Sequence, residues 1–151
     1  MPFVIQDNAP HAPEHALEVE LPFLQTLLAS FRVVPLLVGD ATTEEVAQVL
    51  LQLWDRPGTL IVVSTDLSHY HDYETARRLD AATAAVIEHG DWASLGPHQA
   101  CGSRAIAGLL LETGRRGLKI RRLSLCNSGD TAGARDRVVG YGAWMFAQTA
   151  A

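Results

Sequence analysis

The sequence is poor in cysteine and has no long apolar run. Two cysteines among 151 residues are too few for a disulfide-stapled scaffold, so we expect reduced thiols in the cytoplasm. The longest apolar runs, such as residues 33–38 and 60–63, fall far below the ~20 residues that a helix needs to cross a bilayer. No secretory signal pattern is visible either. These shortages exclude a helical membrane span and predict a cytoplasmic protein with no membrane partner.

Positive charge is also scarce. The chain has 12 basic and 17 acidic residues, a net charge of −5, whereas proteins held by phosphate contacts need a basic face. One basic cluster, at residues 115–122, alternates with apolar residues and is typical of a solvated helix end followed by a strand. The charge pattern therefore predicts no nucleic-acid partner.

Hydrophobic residues are plentiful, at 48%, and predict a cored protein. No repeat or linker divides the chain, so we expect a single domain over residues 1–151. Apolar residues alternate between helical and strand patterns along the chain. The predicted helices cover residues 17–28, 42–54, 72–89 and 103–113, and the predicted strands cover 31–38, 59–64, 118–125 and 138–147. This order predicts an α/β fold, a layered sandwich with helices packed on a central mixed sheet.

Polar side chains crowd the turn after the predicted strand 59–64. Asp66, Ser68, His69 and His71 lie there, and open α/β sheets place ligand crevices at the ends of their strands. A structural interpretation is equally open: Asp66 or Ser68 caps the next helix while the histidines lie on the surface.

Two further stretches carry metal-type donors. His15 and Glu18 are three residues apart and would share a helix face, so they could ligate a metal together, or the carboxylate could orient the imidazole. The alternative is a solvated acidic face with an incidental histidine. Cys101 precedes a predicted helix, whose positive end favours thiolate, and Gly102 allows close approach of a ligand. An isolated cysteine is, however, more often a small buried hydrophobe.

A glycine-rich turn covers residues 128–133. Such turns can present backbone N–H groups to an anion, but this one matches neither the dinucleotide-binding nor the P-loop pattern.

Taken together, these segments resemble the Memo family, which includes the B component of the AmmeMemoRadiSam system. The matching stretches are residues 14–25, 34–39, 64–71, 100–102, 128–130 and 138–141, in the family's order. The family is similar in fold to the class III (LigB-type) extradiol dioxygenases. The resemblance implies an α/β sandwich with a metal pocket at the edge of its sheet.

The resemblance also implies roles for individual residues. His15 and Cys101 match ligands of iron or copper, and thiolate particularly suits copper(I). His69 stands where the dioxygenases keep an acid/base histidine, and Asp66 would hold it in one tautomer. The remaining expected pocket residues are Glu14, Glu18, Ser68, Tyr70, His71, Gly102, Arg104, Ser128, Gly129 and Asp130.

The chain departs from the family at its start. Family members open with a segment that carries a first histidine ligand, and this sequence starts directly before the Glu14–His15 motif. We therefore expect an N-terminally truncated form whose metal site is completed by water, by His69 or by another subunit. An exposed sheet edge would favour a homo-oligomer or a partner that supplies the missing segment.

Three functions are consistent with the sequence. The first is a metal-dependent, dioxygenase-like oxidoreductase. The second is a non-catalytic module that binds a peptide or small anion, since Memo proteins are linked with phosphotyrosine-peptide binding and Arg104 could pair with phosphate. The third is an incomplete domain without activity that is stable only with a partner or as a dimer.

Overall fold

A computed structural model describes residues 1–131 and 133–148. Four helices and three strands make up the regular structure of this part of the chain. The helices are α1 (Leu21–Leu27), α2 (Thr43–Trp54), α3 (Tyr73–Glu88) and α4 (Ser103–Arg115), and the strands are β1 (His69–His71), β2 (Lys119–Asn127) and β3 (Val138–Ala147). The mixed α/β class predicted from the sequence is confirmed.

The sheet has the strand order β1-β3-β2, and both neighbouring pairs run antiparallel. The expectation of a mixed central sheet is therefore wrong for the described strands. Residues 138–147 form a strand, as predicted, and this strand, β3, lies in the centre of the sheet with β2 beside it as a long antiparallel partner. The short β1 comes from the polar turn after residue 64, where the sequence predicted no strand.

The predicted strands at residues 31–38 and 59–64 do not form strands. A strand requires a backbone ladder with a neighbour, and no segment within residues 1–131 or 133–148 pairs with these two. Val38, Ile61 and Val63 still pack against the core, whereas other apolar side chains of the same segments face outward. Their apolar character indicated burial on two faces, and only one face is covered in the structure.

Local end signals fix the starts of α2 and α3. At α2, Thr42 Oγ1 accepts a hydrogen bond from Glu45 N (3.2 Å) and the Glu45 carboxylate accepts one from Thr42 N (2.9 Å), a complete capping box. At α3, the Asp72 carboxylate accepts a single capping hydrogen bond from Thr75 N. The predicted helix over residues 17–28 shrinks to the seven residues of α1, because Pro22 sits in the first turn, where the ring suits a helix start.

The core lies between the sheet and two layers of helices. Buried residues of α3, α4 and the loop before β1 form its main cluster, against which side chains of β2 and β3 pack; the cluster comprises Leu67, Ile87, Ala100, Ile106 and Leu110. A second cluster joins α2 to α4 through Val46, Leu50 and Leu109. The loop that contains Asp66 and Ser68 is therefore anchored in the core by Leu67.

Within the described part of the chain, none of the helices combines the length and the apolar character that a bilayer span requires.

Candidate functional site

Cys101 lies directly before α4 and contacts the polar turn that precedes β1. Its Sγ accepts a hydrogen bond from Asp66 N (3.4 Å) and lies 3.2 Å from Thr65 Oγ1. Thr65 Oγ1 in turn accepts a hydrogen bond from Gly102 N (2.7 Å). The sulfur is exposed, and it also lies 3.8 Å from Asp66 O, to which its S–H can donate. The structure thus brings together two of the stretches singled out in the sequence.

His69 and Asp66 face each other on that same turn. His69 Nε2 lies 3.4 Å from Asp66 Oδ2, within ion-pair distance, and both side chains are partly exposed. Asp66 therefore links the thiol to the imidazole: its backbone N–H contacts Cys101 and its carboxylate contacts His69. This arrangement places a thiol, a carboxylate and an imidazole around one turn.

The turn is held to the centre of the sheet by backbone hydrogen bonds. Leu67 N donates to Gly140 O, and Gly140 N donates to Ser68 O, both at 2.9 Å. Ser68 N donates to Asp80 Oδ1 at 3.0 Å. Ser68, one of the predicted pocket residues, is itself buried. Ser68 contributes to holding the turn through the hydrogen bonds of its backbone N–H and C=O groups.

The N-terminal stretch forms turns before α1, and His15 and Glu18 pair there, which is one of the two arrangements that the sequence left open. His15 Nδ1 lies 2.8 Å from Glu18 Oε2, and this carboxylate raises the pKa of His15. Glu14 accepts hydrogen bonds from the backbone N–H groups of Ala16 and His15, which lower its pKa. All of these contacts are local, and all but the partly buried one from Ala16 are exposed.

Glu20 connects this stretch to the site. Ser64 Oγ donates to Glu20 Oε1 at 3.3 Å, and Ser64 directly precedes Thr65. Among residues 1–131 and 133–148, however, no three His, Cys, Asp or Glu side chains are grouped so that they could hold a metal ion. Ligation of a metal by His15 and Cys101 remains a prediction.

Tyr70 has a strained backbone. Its φ of +62° lies in the left-handed region, which a bulky residue rarely occupies. His69 pairs with Val139 and His71 with Val138, so that Tyr70 is the extra residue of a bulge in β1. Its ring is 66% exposed, with the Arg137 guanidinium 5.0 Å from the ring centre. The bulge turns this predicted pocket residue towards solvent beside His69, whereas His71 is an exposed residue of the strand end.

Arg104 already forms an ion pair with a carboxylate. Its Nη1 lies 2.6 Å from Asp40 Oδ1 and donates to Gly39 O at 2.9 Å. A groove of about 470 Å³ runs past this residue and past Cys101 and Gly102, with Trp92 on its wall. A phosphate group could use Arg104 only by competing with Asp40.

The turn at residues 128–130 uses its polar groups internally. Gly129 N donates to Asn127 Oδ1, and Ser128 Oγ accepts from Val139 N. The Asp130 carboxylate accepts hydrogen bonds from Tyr73 Oη and Asn127 N, which lowers the pKa of Asp130 and raises that of Tyr73. These contacts stabilise the turn, and they occupy the Gly129 N–H that an anion would need.

Sequence reasoning missed Thr65 and Asp80. Thr65 lies inside the stretch 64–71 that carries the family resemblance, although no role was assigned to it. Asp80 had a visible signal: it lies four residues after Ala76 and four before Ala84, on the buried face of α3. A carboxylate on an apolar helix face is the kind of residue that calls for a partner.

Comparison with known proteins identifies the family. A family model described as a Memo-like protein matches residues 1–145. The chain belongs to the Memo family. A MEMO1 family protein of Aeropyrum pernix is 39% identical over 151 aligned residues, covering 91% of this chain and 53% of that protein. Those of Thermoplasma acidophilum and Archaeoglobus fulgidus are 32% and 35% identical, covering 92% and 97% of this chain and 55% and 60% of their own lengths.

This Memo-family chain therefore spans about half the length of these curated relatives. The family membership predicted from the motifs is confirmed, and the match covers residues 1–145.

Proposed function

We propose that this Memo-family chain contributes a metal-binding oxidoreductase site in which Cys101 and His15 are ligands of iron or copper. The supporting observation is the double contact of Asp66, whose backbone N–H meets Cys101 Sγ while its carboxylate meets His69. One turn thereby positions a thiol that could bind a metal beside a carboxylate and an imidazole that could transfer protons. A reducing compartment such as the cytoplasm would keep this thiol available.

The chemistry of the donor groups fits these metals. Cys101 Sγ is exposed and accepts a backbone hydrogen bond, as a thiolate ligand commonly does. Glu18 occupies Nδ1 of His15, the carboxylate–histidine pairing that orients an imidazole towards a metal through its other nitrogen. Thiolate and imidazole together suit copper, and imidazole suits iron.

His69 is the proton carrier in this proposal. The Asp66 carboxylate favours a proton on Nε2 of His69, so that Nδ1 is the atom that accepts a proton from a bound substrate or returns it. Bound iron or copper would supply the redox chemistry. The groove beside Cys101 and Arg104 offers space for a small substrate next to the thiol.

Copper binding by cysteine variants tests the proposal. We expect Cys101→Ser to weaken Cu(I) binding at least about tenfold, because losing a ligand should cost no less than losing a residue that merely orients one. His15→Ala should have an effect in the same direction. Anaerobic titration in competition with a chromophoric chelator measures the affinity, and a parallel Fe(II) titration compares the two metals.

Cys126→Ser is the matched control for this titration. Cys126 lies in β2, opposite Tyr141, and should bind no metal at the site. Unchanged Cu(I) affinity in folded Cys101→Ser would contradict the proposal. The metal-free protein is also titrated with a phosphotyrosine peptide. Tight binding that survives Cys101→Ser but not Arg104→Ala would favour the peptide-binding alternative instead.

We also propose that another polypeptide segment covers the unpaired segments 31–37 and 60–62. Val34 is 70% exposed and Leu60 is 68% exposed, and neither segment has a strand partner in the described part of the chain. Backbone without a strand partner that carries exposed apolar side chains is a site for strand addition. Since the relatives are about twice as long as this chain, the half of the family's sequence outside the match is the occupant that we propose.

Complementation tests this surface. The unmatched half of the Aeropyrum pernix relative, added as a separate chain, should form a one-to-one complex and slow amide exchange at residues 60–62. Val34→Asp and Leu60→Asp should abolish the complex, whereas Leu123→Asp, at a leucine of β2 that is 58% exposed, should not. Homodimers that form through the same residues and exclude the added half would overturn the choice of occupant.

A further inference from the structure

We infer that Asp80 is a positioning residue that fixes the turn 66–69, and with it the placement of Asp66 between Cys101 and His69. This inference rests on the site proposed above. Asp80 lies on the buried face of α3 and holds the backbone of the turn in place. Asp80 touches neither Cys101 nor His69 in the described contacts, and it acts through the backbone of Ser68.

Burial makes this carboxylate unusual. Asp80 is 2% exposed and lies in the middle of α3, on the face that packs against the sheet. Taking a carboxylate out of water is costly unless hydrogen bonds compensate. Asp80 Oδ1 accepts one, from Ser68 N at 3.0 Å. This bond ties the middle of the turn to the helix.

Gly140 makes room for the contact. A Cβ at this position of β3 would overlap the Asp80 carboxylate, so the close approach requires the missing side chain. Gly140 also forms backbone hydrogen bonds with Leu67 and Ser68. The helix carboxylate, the strand glycine and the turn therefore interlock at one point.

Stability alone does not account for Asp80. Its Oδ2 and the Oγ of Ser68 are buried without a hydrogen-bond partner among the described residues. An unsatisfied buried polar atom lowers stability, and an apolar residue at such a place is often neutral or stabilising. We therefore infer that Asp80 contributes by fixing the geometry of the turn. It holds Ser68 N–H, which lies only two residues from the Asp66 N–H that contacts Cys101.

The reactivity of Cys101 in metal-free protein tests this role. In a Cys126→Ser background, we expect Asp80→Ala to slow alkylation of Cys101 by iodoacetamide, measured at one fixed pH near neutral, about tenfold. The reason is that Asp66 N–H no longer stays on the sulfur, and a hydrogen bond to a charged group is worth about one order of magnitude. Asp80→Asn should restore the alkylation rate, because its amide oxygen can still accept from Ser68 N.

Thr83→Ala is the matched control, since Thr83 is equally buried in the same helix. It should lower stability without changing the alkylation rate. If Asp80→Ala does not fold, Gly140→Ala displaces the carboxylate while keeping its charge and should slow alkylation to the same extent. An unchanged rate in a folded Asp80→Ala, an equally slowed rate in Thr83→Ala, or failure of both Asp80→Ala and Gly140→Ala to fold would overturn the inference in favour of a purely structural role. Because no metal is present, the result is independent of whether the proposed metal site binds.

Discussion

Replacing Leu67 by alanine should lower the free energy of unfolding by about 3 kcal/mol, since buried Leu→Ala changes leave a cavity in addition to the lost transfer energy. Leu67 is 1% exposed and packs in the main cluster with residues of α3 and α4. For a domain whose net stability is about 5–15 kcal/mol, such a loss is large. Urea denaturation of the metal-free protein measures it.

The same change should also disturb the site. Leu67 lies between Asp66 and Ser68, so its side chain is the apolar anchor of the turn that carries the thiol contact. We expect slower alkylation of Cys101 in folded Leu67→Ala. Leu60→Ala is the control, because Leu60 lies outside the helices and strands and is largely exposed. A loss below about 1 kcal/mol for Leu67→Ala would show that the turn is not anchored through the core.

The helices and the two long strands could be predicted because their signals are local. Thr42 and Asp72 cap helices through groups three residues away, and alternation within residues 138–147 marks β3. The segments 31–38 and 59–64 were wrongly predicted as strands for the opposite reason. A strand depends on a neighbouring backbone that apolar sequence does not specify, and none pairs with them in the described residues.

One part of the candidate site could also be predicted from the sequence, and another part could not. The order of motifs indicated that the turn 64–71 and Cys101 belong to one pocket, and the contact between Asp66 and Cys101 agrees with this. The contact of Thr65 with Gly102 spans 37 positions of the chain and follows from packing, which no spacing encodes. In the peptide-binding alternative, Arg104 was the candidate phosphate anchor because a guanidinium pairs bidentately with phosphate. Its pairing with Asp40 depends on how the loop before α2 meets α4.

The packing of α2 on α4 gives the second large expected effect. A Cβ at Gly108 of α4 would overlap the Val46 side chain of α2, so Gly108→Ala should lower the free energy of unfolding by about 2 kcal/mol. Gly114→Ala is the matched control in the same helix, because nothing lies near its Cβ position, and it should stabilise the protein by up to about 1 kcal/mol. In paired denaturation curves, we expect the free energy of unfolding to fall for Gly108→Ala and to rise for Gly114→Ala. Both changes gain helix propensity, but only the Cβ at position 108 overlaps a neighbouring side chain. If both variants gained stability, α2 and α4 could not pack as closely as Gly108 implies. The groove wall formed where the start of α4 meets residues 38–43 would then be less rigid than the proposed site requires.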